Sequence, residues 1–208
     1  MNKIIIIFLV LSQIFLLSSN QNGNWILVHI YGTDGVSHEY IYSHEKRIAW
    51  VEDKKVRFIK LDEEDKTRMN IFHTQVEALK QQYGINIPYA DIIFEDACII
   101  TDILSEYEPK SILDTVRSKD NLKQICIENI DKYYTYLNSK VDFVYSLKIN
   151  LRGDKIVAFE YIHEPNLTGE VMKDKHYYTY DQFGRMTQVV KLENDKKTEY
   201  HITYKTFK

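Results

Sequence analysis

The residues that could do chemistry are few and scattered. Glu95, Asp96 and Asp102 lie in the apolar stretch IIFEDACIITDIL, where burial raises a carboxyl pKa and can set up an acid and base pair. The plainer reading is that they mark the solvent side of that element. His29, His38 and His44 come close together in sequence, and the near-repeat SHEYIYSHEK adds Glu39 and Glu45. A metal needs imidazoles and carboxylates converging on one point. On a continuous strand His38 and His44 would stand about 20 Å apart, so the expectation is surface histidines and no metal. No GxSxG, SxxK, HExxH or glycine-rich phosphate loop occurs. No catalytic residue and no cofactor are assigned. The one excess is tyrosine, sixteen in all. Tyrosine suits strands by packing and binding surfaces by its rigid amphipathic ring, so Tyr177, Tyr178 and Tyr180 are the candidate ligand-binding residues.

Those tyrosines belong to YYTYDQFGRMTQVV, residues 177–190. If Asp181 opens a type I turn, its carboxylate accepts the backbone N–H two residues on, and Gly184 takes the left-handed position of a bulged loop. Asp181 then faces Arg185, and Tyr180 faces Met186. Tyr178, Tyr180, Met186 and Val190 share a face in that register. Asp181, Gly184 and Arg185 are accordingly read as a structural turn. The stretch Tyr178 to Val189 also resembles the YD repeat of the RHS family, whose unit carries a tyrosine, an aspartate, two free positions, a glycine and an arginine. Asn194 to Tyr204 is similar to the start of a second, degenerate unit. The resemblance covers about 27 residues and implies a β-hairpin in an exported protein.

Two further signals have local explanations. Arg152, Gly153 and Asp154 spell an integrin-type RGD, yet Gly-Asp is a hairpin turn in its own right, with both residues expected at positive φ. Cys98 and Cys126 are an even pair in a chain expected outside the reducing cytoplasm. A disulfide closing a loop of about 28 residues would stabilise by about 3 to 4 kcal/mol; two buried thiols are the equal alternative.

The elements that must carry these residues follow from period. Residues 1–19 hold one early cation, an apolar run from Ile4 to Leu17 and small polar residues, the pattern of a secretory signal. No cysteine follows that run for lipid attachment, so a secreted or periplasmic protein without a stable membrane span is expected. Residues 20–208 are expected to form a single α+β domain. Residues 24–62 alternate as a four-strand meander with turns at Thr33 to Gly35 and at EDKK. Residues 63–140 read mainly helical. Met69, Phe72, Val76, Leu79 and Tyr83 share a helix face that Asp62 or Asp65 can cap and Gly84 can end. A second helix is expected after Pro109, and a third at Leu122, Ile125, Cys126, Ile130, Tyr133, Tyr134 and Leu137. Residues 85–104, rich in β-branched residues but without turn signals, read as a strand, with a helix the open alternative at 91–104. Residues 141–207 return to a meander of about five strands, with a loop at 164–174 holding the glycosylation-type triplet Asn166-Leu167-Thr168. The fold class expected is thus α+β, with antiparallel meanders at both ends and a helical layer between them.

The formal charge of −3 gives no nucleic-acid footprint. What remains is an exported, non-enzymatic binding or interaction module for a glycan, a peptide or an envelope protein. The alternatives are a small exported hydrolase or an inhibitor or immunity protein.

Overall fold

The computed structural model describes residues 25–105, 122–128, 133–136, 139–164, 172–194 and 196–206. The signal-like segment 1–19, the helix expected after Pro109, Ile130, Leu137 and Asn166 to Thr168 lie outside them. The chain divides into two compact units, one formed by residues up to Thr67 together with those from Tyr200 on, the other by Arg68–Glu199.

The first unit is an antiparallel sheet in the order β4-β3-β2-β1-β11. It comprises β1 (Trp25–Gly32), β2 (Ser37–Ser43), β3 (Lys46–Glu52), β4 (Lys55–Phe58) and the end of β11 (Lys196–Thr206). Two tight turns make the β2–β3 and β3–β4 hairpins, with positive φ at both central residues, His44 and Glu45, then Asp53 and Lys54. Trp25, Ile41 and Ala49 form the core of one sheet face, with Leu27, Ile48, Val51 and Val56 packed against them.

The second unit stacks β10-β9-β8-β7-β5, with β6 on β7. Its strands are β5 (Leu122–Glu128), β6 (Tyr133–Tyr136), β7 (Ser139–Arg152), β8 (Lys155–Glu164), β9 (Met172–Tyr180) and β10 (Met186–Glu193). The helix α1 (Glu63–Tyr83) begins in the first unit, where Asp62 Oδ1 accepts the Asp65 N–H at 2.8 Å, and it ends at Gly84, φ +66°. A 3₁₀ turn (Ala90–Ile93) leads into α2 (Phe94–Leu104). Phe72 on α1 and Phe94 on α2 pack with ring centroids 4.7 Å apart.

The fold is therefore nearly all-β, and the α+β expectation with a helical layer at 63–140 is wrong in two places. Residues 122–128 and 133–136 are strands β5 and β6. Ile125 and Ile127 are buried while Cys126 between them is exposed, a period of two that the apparent three-and-four stripe concealed. Conversely 91–104 is helical, since Ala97, Ile100, Ile103 and Leu104 are buried at three-and-four spacing.

Candidate functional site

Two arrangements in the structure could carry function, one in each unit. In the second unit one sheet face runs through Ile149 on β7, Phe159 and Tyr161 on β8, and Asp174 and His176 on β9, where Ile149–Phe159–His176 and Tyr161–Asp174 are cross-strand partners, and on to Tyr178 two residues beyond His176. The helix α2 covers this face. Asp96, 2% exposed, accepts the Tyr178 phenol at 2.6 Å and lies 2.9 Å from His176 Nδ1. A buried carboxylate is tolerable only when it finds polar partners, and both of these contacts fall on its Oδ2. The His176 ring meets those of Phe159 and Tyr161. Its outer nitrogen, Nε2, stands 3.8 Å from Glu193 Oε1, and Tyr161 is hydrogen-bonded to Asp174.

Burial first, and then the Asp96 carboxylate, pushes the Tyr178 phenol far above its ordinary pKa. Burial followed by Asp174 does the same to Tyr161, and burial followed by Asp154 to Tyr180. Asp96 and His176 resemble the orienting half of a hydrolytic triad. Both side chains are closed, however, at 3% and 2% exposure, which leaves a substrate no way in. What the cluster does is fasten α2 to the sheet.

The sequence candidates in this unit separate accordingly. Tyr178 is 4% exposed, and Tyr180 spends its phenol on the Ile156 carbonyl at 2.9 Å; Tyr177 alone is open, at 43%. Glu95 is exposed and Asp102 is half-buried, with burial raising its pKa against a hydrogen bond from Gln75. Asp96 points inward, so the three acids do not mark one solvent side. Asp181 accepts the N–H of Phe183 at 2.8 Å and of Arg185 at 2.9 Å, and its second oxygen takes the Arg185 guanidinium at 2.8 Å. Gly184 sits at φ +76°. Tyr180 pairs with Met186, but a bulge follows Met186, so Tyr178 faces Val189 and Val190 falls opposite Tyr177.

At the RGD tip only Gly153 has positive φ, the pattern of a II′ turn. The Asp154 carboxylate is taken by Asn86 and Lys155, whose hydrogen bonds outweigh its burial and hold its pKa low. That leaves it poorly placed as an adhesion ligand. Cys98 and Cys126 are thiols rather than a disulfide. Cys98 is on α2, whereas Cys126 is exposed between Ile125 and Ile127, which pair with the buried Ile149 and Leu147. Cys126 thus lies on the sheet face turned away from α2, where no disulfide to Cys98 can close.

In the first unit the histidines do not converge. His29 lies across from Glu39 on one sheet face and bonds Ser37 Oγ at 3.0 Å, His38 occupies the other face, and His44 is in a turn. Among the described residues no three His, Cys, Asp or Glu side chains could hold a metal ion. His38 instead stacks on Tyr40 at 5.6 Å, and the Arg47 guanidinium lies 4.8 Å from the centre of the same ring. Tyr40 pairs across the ladder with Trp50, which is 37% exposed and pairs in turn with Arg57. His38, Tyr40, Arg47 and Trp50 border a concavity of about 390 Å³ that also reaches Ser37, Glu39, Val51 and Ile59. Sequence reasoning missed this group because Tyr40, Arg47 and Trp50 are ordinary members of alternating strands; their joint position depends on the bulge between Ile41 and Tyr42 in the β2–β3 register.

Comparison with protein-family models, curated proteins and solved structures found no match to this chain. Among the described residues no helix is long and apolar enough to cross a membrane.

Proposed function

We propose that this protein is a non-enzymatic binding module, exported by its signal-like N-terminal segment, that takes its ligand on the β2–β3 face of the first unit. The observation that carries the reading is the Tyr40–Trp50 cross-strand pair beside a concavity of about 390 Å³, within the size range of small-ligand sites. His38 and Arg47 hold Tyr40 in place, which lowers the ordering cost of binding. The tyrosines first singled out, Tyr177, Tyr178 and Tyr180, do not share this role, because two of the three are committed to internal hydrogen bonds. The short YD-like hairpin belongs to the reading only as a structural element of an exported chain.

The test is a screen of the full chain against glycan and peptide arrays, repeated with Trp50→Ala and Tyr177→Ala. The expected outcome is a ligand lost with Trp50→Ala and retained with Tyr177→Ala. Ligands that survive Trp50→Ala but not Tyr177→Ala would move the site to the second unit, and ligands indifferent to both would overturn the reading.

A further inference from the structure

The sheet of the second unit has two unlike faces. Under α2, Leu147, Ile149, Phe159, Asp174 and His176 are buried. On the opposite face every described side chain of β5 and of β7 to β10 is half-exposed or exposed. Cross-strand pairing sets Lys148, Glu160 and Lys175 in one row of that open face, with Lys173 in the next row and Arg152 at the end of β7. The ammonium groups of Lys175 and Lys173 lie 3.0 and 3.5 Å from the Glu160 carboxylate. Burial raises that carboxyl, but Lys175, Lys173 and Lys148 outweigh it and hold its pKa low. Glu128, opposite Ser146, is a second acid in these rows, and Lys155 is balanced by Asp154 at the hairpin tip. Four cations against Glu160 and Glu128 leave an excess of two positive charges, in a chain whose formal charge is −3.

We propose that this open face docks on an anionic lipid surface, as a site of its own beside the ligand face of the first unit. The cations are spread in two directions, about 10 Å from Lys148 to Lys175 across the strands and about 20 Å from Lys173 to Arg152 along them. Such a spread meets a plane better than a single polymer chain. Three of the four are lysines, point charges that require no fixed acceptor geometry and so suit phosphate headgroups that move. Tyr177, 43% exposed, stands in a row with the aliphatic Ala158 and Val190. An amphipathic ring flanked by aliphatic groups is fitted to the headgroup level of a bilayer.

The experiment is vesicle sedimentation of the full chain at low and at high salt. It should partition onto phosphatidylcholine mixed with an equal part of phosphatidylglycerol, and fall away as salt is raised. Lys148→Gln and Lys173→Gln should each lower that partitioning about fivefold, the weight of one cation near an anionic surface, and Lys173→Arg should retain it. Glu160→Gln, which removes a counter-charge, should raise it by about the same factor. A gain of binding separates the role of charge from damage to the fold. Tyr177→Ala should weaken binding, and Trp50→Ala, in the first unit, should leave it unchanged.

Equal partitioning onto phosphatidylcholine alone, indifferent to the charge variants, would assign binding to the apolar run from Ile4 to Leu17 and overturn the proposal. Polyglutamate or polygalacturonate bound as tightly as the mixed vesicles at equal charge, with the same loss on Lys173→Gln, would make the face a site for a soluble polyanion and overturn the membrane assignment. Binding lost with Trp50→Ala and unaffected by Lys148→Gln and Lys173→Gln would put the contact in the first unit. No partitioning onto either vesicle overturns the proposal and leaves the β2–β3 face to its own test.

Discussion

Asp181 shows how one side chain can fix a turn. It accepts two backbone N–H groups and the Arg185 guanidinium, leaving the turn few unsatisfied donors. Asp181→Ala should cost about 1 to 3 kcal/mol, measured as a fall in the urea midpoint, with no effect on ligands of the first unit. Burial tends to raise this carboxyl, but the N–H groups of Arg185 and Phe183 and the Arg185 charge outweigh it and hold the pKa below the usual range. A depressed carboxyl pKa adds stability above the unfolded value of about 3.9, and that stability is lost as pH falls through the folded value. The difference between wild type and Asp181→Ala should therefore shrink below about pH 4. This site was legible in the sequence because every partner lies within four residues. The same stretch defeated the assignment of Val190, since nothing local announces the bulge after Met186.

At the scale of elements, the second unit depends on phenols that must stay protonated: Tyr178 fastens α2 to the sheet through Asp96, while Tyr161 and Tyr180 tie strands of the sheet to one another. Tyr161, Tyr178 and Tyr180 all have raised pKa values, with burial the first cause of each. Above the unfolded tyrosine value of about 10, the unfolded chain releases these protons and the folded one keeps them. Stability is thus full below about pH 10 and declines as pH rises beyond it, by up to about 1.4 kcal/mol per pH unit for each phenol. Urea midpoints followed from pH 8 to 11 should show that decline, and Tyr178→Phe should make it shallower while costing about 1 to 3 kcal/mol at neutral pH. Asp96 also explains why the period misled. As a strand, 91–104 would send alternate residues to each face; as a helix it buries Asp96, Ala97, Ile100 and Ile103 together, and β-branched composition cannot distinguish the two. In β5 the error ran the other way, because Ile125 and Cys126 are adjacent and suggest a helical stripe until the exposure of Cys126 is known.

Across the whole molecule, the meander at the N-terminus was readable strand by strand, but its completion was not. β1 pairs with β11 from Ile26 opposite Thr206 to Gly32 opposite Tyr200, a contact between near-opposite ends of the described chain that no local pattern encodes. Without β11, β1 becomes an edge strand on a sheet of four. A chain ending at Glu193 should lose hydrogen-exchange protection at β1 amides, and a peptide of residues 196–208 added in trans should restore part of it. Unchanged protection in the shortened chain would show that β1 does not depend on β11.

That pairing also sets a timetable. At about 5 to 20 residues per second, a ribosome needs on the order of ten to thirty seconds to travel from β1 to β11. Throughout that interval β1, with Val28 and Ile30 among its residues, has no partner on one side. The first unit can be finished only after nearly all of the described chain has been made, so its newborn edge is a natural stopping place for chaperones and a point where neighbouring nascent chains can pair by mistake.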